Sequence, residues 1–223
     1  MAEVVKRVAT RTGDDPSKGP RASRSDQARS TRRRIIDAAS RLFLDRGYAA
    51  TILEQVAEDA GVAVQTVYFH FGNKRTLLKE ALDIAAVGDD EPIPLLQRPW
   101  LDEVRNEPDP AGMIERWVAN GAAILERIGP IMCVVRDAAG TDPDLAAQWS
   151  TNQQQTLIAQ RTLAQLLSDR DALKPGMTVQ EATDIIFTLD SIEVYWLLTT
   201  TCGWTIPRRE AWITGTLRTA LLR

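Results

Sequence analysis

Residues 51–78, Thr51-Ile-Leu-Glu-Gln-Val-Ala-Glu-Asp-Ala-Gly-Val-Ala-Val-Gln-Thr-Val-Tyr-Phe-His-Phe-Gly-Asn-Lys-Arg-Thr-Leu-Leu78, decide the fold of this chain. Ile52, Val56, Ala57 and Ala60 recur at helical spacing, and Thr51 and Glu54 stand as far apart as the two halves of a capping box. Gly61 supplies the positive-φ residue that stops a helix, and Val62 turns the chain inward. A second helix of about seven residues starts near Gln65. Val67 and Phe71 are its inward face, while Gln65, Thr66, Tyr68 and His70 remain outside. Asn73 can cap the helix that follows. Two short helices joined by a glycine turn, then a third, make a helix-turn-helix whose second member is short enough to lie in a DNA major groove.

Upstream, a helix is predicted from Ser30 to Arg46, with Ile35, Ile36, Ala39, Leu42 and Phe43 on one face and Gly47 ending it. Residues 1–25 are rich in Arg, Ser, Gly, Pro and Asp and lack apolar periodicity, so a disordered basic arm is expected there. Such arms can enter the adjacent minor groove. Downstream, Leu77, Leu78, Ala81, Leu82 and Ala85 form an apolar stripe, and Pro92, Pro94 and Pro99 then break regular structure. Beyond the break, Pro110, Pro130, Pro143 and Pro207 read as first helical positions. Thr178 and Glu181 form a second candidate capping box, opening a helix predicted to run through Leu198. With no alternating apolar pattern and no repeat, the expected fold class is all-α, with segments 1–25, 26–87 and 88–223.

The net charge of −3 hides an asymmetry. Residues 1–80 carry 15 Lys and Arg against 10 Asp and Glu, whereas the remainder carries 12 against 20. Only the first part suits a polyphosphate. The basic run adds Arg29 and Arg32 to the DNA-facing set. Enzyme chemistry finds little support: the single His70 excludes a His-based metal cluster, and no Gly-rich phosphate loop occurs. Neither a cofactor nor a metal is expected. Cys133 and Cys202 read as buried, reduced thiols. No run approaching the roughly 18 apolar residues of a membrane span is evident, so no membrane partner and a cytoplasmic location are expected.

The series Thr51…Val56-Ala57…Ala60-Gly61-Val62…Thr66-Val67-Tyr68…Phe71…Asn73-Lys74…Leu77-Leu78 closely resembles the DNA-binding signature of the TetR family of bacterial transcriptional regulators, across residues 30–82. Ala63 departs from the family's usual Ser or Thr cap, and Val64 from a common polar residue. The resemblance implies an N-terminal three-helix DNA-binding domain, followed by a helical ligand-binding and dimerisation domain whose last two helices pair with a second copy. It implies phosphate contacts for Thr51, Tyr68 and Lys74, although a tyrosine on a short helix can also pack in the core. Gln65, Thr66 and Val64 are the candidate base readers, since Gln can pair with adenine and Thr or Val can meet a thymine methyl. His70 is a candidate phosphate or solvent contact, with a base contact as the alternative.

All six tryptophans follow residue 99. Aromatics at helical spacing are usually core. A pocket lined by Trp117, Met132, Trp149 and Trp196, with Asn120, Arg136, Gln153, Asp190 or Glu193 as polar anchors, would nonetheless suit a flat, mostly apolar small molecule. The function expected is a regulator, by family habit a repressor, that binds a near-palindromic double-stranded operator as a homodimer and is relieved by that ligand. The alternatives are a helical protein-interaction module, or an activator without an inducer.

Overall fold

The computed structural model describes residues 24–88 and 94–223, and within them the fold is all helical. The expected disordered arm and its minor-groove role therefore lie outside the described residues, apart from Arg24 and Ser25. Those two open α1 (Arg24–Ala50), which starts ahead of the predicted Ser30 and leaves helical geometry at Gly47, where φ is 76°. Ile35, Ala38, Ala39 and Phe43 have no exposed surface and floor the next three helices: α2 (Leu53–Ala60), α3 (Val64–Phe71) and α4 (Lys74–Val87).

Local signals set most of these boundaries. Gly61 adopts φ 63°, and the Gly61 and Val62 amides return to carbonyls of the last turn of α2. Asn73 caps α4 by accepting from the Thr76 amide at 2.9 Å. The Thr51–Glu54 capping box does not form. Ile52 occupies the cap position of α2 and offers no side-chain bond, because Thr51 is spent on α1 instead.

The remaining elements are a short 3₁₀ turn (Leu95–Gln97), α5 (Pro99–Asn106), α6 (Pro110–Ala139), α7 (Pro143–Asp169), α8 (Val179–Leu189), α9 (Ile192–Trp196) and α10 (Ile206–Leu221). The Thr178–Glu181 capping box is complete. Three expectations need correction. Pro99, read as a breaker, is the first residue of α5. Pro130 does not start a helix but sits inside the 30-residue α6. Its ring lies on the exposed side, and its missing N–H frees the carbonyl of exposed Glu126, which water can satisfy. Buried Gly129, Ile131 and Met132 hold the helix together around it. Third, the helix predicted unbroken from Thr178 to Leu198 is interrupted at Asp190–Ser191 and continues after α9 as a π-helical turn over Leu197–Thr201.

Two apolar clusters result. One joins α1–α4 to the second half of α6, through Leu125, Ile131, Met132 and Val135. The other gathers Leu101 and Val104 of α5, Met113, Ile114 and Trp117 of α6, Leu163 and Leu167 of α7, Ile186 of α8, and Ile213 and Leu217 of α10. Helix α6 thus connects the two ends of the molecule. Arg127 of α6 donates to the Ala85 and Ala86 carbonyls at the end of α4, at 3.2 and 3.3 Å. Contrary to the sequence reading, α6 is long and apolar enough to cross a membrane by length and composition. Its apolar residues serve both clusters, as in a core helix.

Candidate nucleic-acid interface

Helix α3 is fixed from within and open from without. Val67 is 0% exposed and Phe71 3%, whereas Tyr68 is 47% exposed and Phe69 85%. Gln65 is exposed and Thr66 half-buried. Val64 differs from its expected outward place: it is half-buried and packs against the core of the helix-turn-helix. Ala63 supplies no side-chain cap, and in the first turn of α3 the Thr66 amide donates to the Ala63 carbonyl at 2.9 Å instead.

Phe69 was overlooked by sequence reasoning although its position gives it away. At 100° per residue it lies about 200° from Val67, on the side opposite the core. An 85% exposed phenyl ring on a helix is an unfavourable use of apolar surface unless something covers it.

His70 is half-buried, with the rings of Phe69 and Phe71 at 5.4 and 6.0 Å. It lines a cleft of ≈ 380 Å³ together with Arg29, Arg32, Arg33 and Ile36 of α1. The basic run of α1 is therefore brought beside α3. Its arginines have different duties. Arg32, expected to contact DNA, pairs with Glu80 of α4 at 2.5 Å and lies over the Phe71 ring, which makes it a brace between helices. Arg34, also part of the run, caps the end of α2 through the Ala60 and Gly61 carbonyls.

Two further expected phosphate contacts have their polar groups bonded within the protein. Thr51 is 0% exposed, and its hydroxyl donates to the Gly47 carbonyl at 2.8 Å with the Leu42 carbonyl 3.2 Å away. It locks the end of α1 against α2. Lys74 turns its ammonium back onto the Tyr48 and Thr51 carbonyls at 2.7 and 2.9 Å, above the Tyr48 ring. Burial lowers its pKa from the ordinary lysine value. The ammonium thus closes the carbonyl-rich end of α1. Lys74→Met should cost about 1–3 kcal/mol of stability, because charged hydrogen bonds to carbonyls are lost. Urea denaturation would report this, while the salt dependence of DNA binding should keep its slope. A shallower slope with unchanged stability would restore the phosphate role.

Of the nine expected ligand residues, Trp117 and Asp190 are brought together through Gln160, and the others have separate partners or lie elsewhere. Trp117 is 4% exposed, stacks edge-on against Trp100 at 5.3 Å and donates its indole N–H to Gln160 at 2.8 Å. Met132 and Trp149 belong to the other cluster. Asn120 bonds the Arg116 carbonyl of its own helix, Arg136 pairs with adjacent Asp137, and Gln153 bonds Glu193 at 3.2 Å. Trp196 lies at the surface. Of the cysteines, Cys133 is buried, but Cys202 is exposed, against expectation.

Asp190 has a partner the sequence did not reveal. Its carboxylate accepts from Nη2 of Arg209 at 2.6 Å, with the two side chains 1% and 0% exposed. Burial pushes the carboxyl up to about 6 against the counter-pull of Arg209. The Arg209 guanidinium lies over the Tyr195 ring, 5.2 Å from its centre, and its Nε and Nη1 are buried without a partner.

The comparisons agree with the geometry at the N-terminal end. Residues 35–81 match the family model of bacterial regulatory proteins of the tetR family. TtgR of Pseudomonas putida, an HTH-type transcriptional regulator, is 38% identical over 91 residues, which span 41% of this chain and 40% of that protein. NalD of Pseudomonas aeruginosa, the secondary repressor of the MexAB-OprM multidrug efflux pump, superposes with a TM-score of 0.66 at 23% identity, covering 88% of this chain and 98% of that one. A transcriptional regulator from Saccharomonospora viridis, solved with choline, gives 0.67 at 16% identity, covering 87% and 99%. The fold is shared along the chain, and the sequence likeness is concentrated on the helix-turn-helix. Residues 35–81 are thus a DNA-binding helix-turn-helix of the tetR family type, and the chain spans less than half the length of the curated transcriptional regulators it matches.

Proposed function

We propose that the protein is a cytoplasmic repressor that binds a near-palindromic operator as a homodimer and lets go when a small, mostly apolar ligand occupies its C-terminal domain. The observation that carries the DNA part is the split of α3 into a locked inner face and an open outer one, Val67 and Phe71 against Gln65, Tyr68 and Phe69. Gln65 and Phe69 meet base edges, the first by hydrogen bonds to adenine and the second by apolar contact with a thymine methyl. Tyr68, Thr66 and His70 sit beside the backbone, with Arg29 and Arg33 adding charge from α1.

Dimer formation is supported by apolar side chains left at the surface of the last helices, Trp196 at 36%, Leu197 at 52% and Trp212 at 41% exposed. A two-fold pair would set two α3 helices one groove repeat apart. Light scattering at micromolar concentration should give the dimer mass, and a monomer would contradict the reading. Ligand relief requires that the ligand bind the DNA-incompetent arrangement more tightly than the competent one. Helix α6 is suited to carry that difference, since it packs on α1 and α4 at one end and on α7 and α10 at the other. The repressor sense follows the likeness to NalD, a repressor, and operator position relative to the promoter fixes it in the cell.

Selection of bound sequences from random duplex DNA at two salt concentrations is the decisive experiment. A recovered two-fold motif, with affinity falling as salt rises, is expected. Equal retention of every sequence would sink the proposal.

A further inference from the structure

Arg209 is the charged side chain of the C-terminal domain, among the described residues, that holds buried donors without a partner; the Trp100 indole N–H is the other open donor there. It comes from the first turns of α10, is 0% exposed, and uses Nη2 alone for its pair with Asp190. Nε and Nη1 have no partner. A buried guanidinium normally has its N–H groups taken. The surroundings are otherwise complete: the Trp117 indole is bonded to Gln160, the Gln160 amide stands beside Asp190, and the Tyr195 ring lies under the guanidinium.

Two independent features mark the same place as adaptable. The helix that the sequence predicts unbroken is interrupted at Asp190–Ser191, and the chain is wound as a π turn over Leu197–Thr201 shortly before it returns in α10. Such turns are found at functional sites more often than elsewhere. Gly121 of α6 faces the carboxylate closely, so that a Cβ there would fall 2.8 Å from Asp190 Oδ2. Any shift of Asp190 is therefore felt directly by α6, the helix that reaches the DNA-binding end.

We propose that Arg209 is the recognition group for the effector, and that the effector is a neutral molecule carrying an oxygen acceptor, of the ketone, ester or amide class, on an apolar or aromatic body. The inference rests on the effector-domain reading above and adds the ligand's chemistry. Donors without partners select an acceptor. Neutrality follows from charge balance: Asp190 already compensates the guanidinium, and a ligand carboxylate would place a second negative charge beside it at a pair that is 0% and 1% exposed. The Tyr195 ring and the nearby Trp117 supply the apolar wall.

The test uses the full chain and three probes that share a phenyl ring: acetophenone, ethylbenzene and benzoate. Calorimetric titration should show acetophenone binding at least about tenfold more tightly than either of the others, because a site built around hydrogen-bond donors rejects the analogue that lacks the acceptor. In Arg209→Met/Asp190→Leu the preference for acetophenone over ethylbenzene should disappear. If that variant does not fold, the wild-type ratio decides alone. Equal affinity for ketone and hydrocarbon, or tighter binding of benzoate, overturns the assignment, as does binding of no probe, which would mean that the open donors hold only water. Retardation of the duplex recovered by the selection separates the two readings. Release by ethylbenzene as readily as by acetophenone keeps the effector domain and removes the acceptor rule, whereas release by none removes both.

Discussion

Arg209→Met alone is expected to lower the stability of the protein by about 3–5 kcal/mol, because it strands a 1% exposed Asp190 carboxylate without its cation. For a chain of this size that corresponds to a fall in melting temperature of roughly 10 °C or more. Removing both charges should be far milder. Arg209→Met/Asp190→Leu exchanges a buried pair for packed apolar side chains, and such exchanges are often neutral or stabilising. The pH dependence supplies a second check. The Asp190 carboxyl is pushed up to about 6, above its value in an unfolded chain, so the folded state holds this proton more tightly. Its contribution favours folding most fully below about pH 4 and is lost as the pH rises through about 6. In Arg209→Met the carboxylate has lost its cation, so the deficit relative to wild type should narrow when the pH is lowered from 8 to 5. A single variant as stable as wild type at pH 8, or a gap that widens on acidification, would show that the pair is not sealed from solvent.

What the sequence made legible was local. Gly61, Asn73 and the Thr178–Glu181 box act on residues within one turn, and each is found where its chemistry placed it. Failures came where a distant partner claims a side chain. Thr51 has the spacing of a cap, yet Gly47 and Leu42 take its hydroxyl; Lys74 looks like a phosphate contact, yet the Tyr48 and Thr51 carbonyls surround it. An arginine that braces Glu80 and one that faces DNA are indistinguishable in a basic run. Pro130 failed for another reason: tertiary packing around Gly129 and Ile131 outweighs one lost backbone bond. At the interruption Ser191 caps α9 by accepting from the Val194 amide, and Asp190 pairs with Arg209, nineteen positions away. Phe69 was legible and missed, since period alone sets it opposite Val67.

Phe69→Ala should separate DNA recognition from folding more cleanly than any other single change in α3. The ring is 85% exposed, so its loss should leave stability within about 0.5 kcal/mol, the ordinary range for a surface substitution. On the selected operator it should cost about 1–3 kcal/mol for each half-site contact, and it should relax preference at one base pair per half-site without altering the salt slope. Tyr68→Ala should differ in kind. A residue at the backbone weakens binding to specific and non-specific duplexes alike. Val67→Ala, one helical position earlier and fully buried, should instead lose stability and then binding together, since it opens a cavity beneath α3. Competition titrations on the operator and on a scrambled duplex distinguish the three outcomes. If Phe69→Ala binds the operator as tightly and as selectively as wild type, the exposed ring does not touch DNA, and the apolar face of α3 must be assigned to another partner.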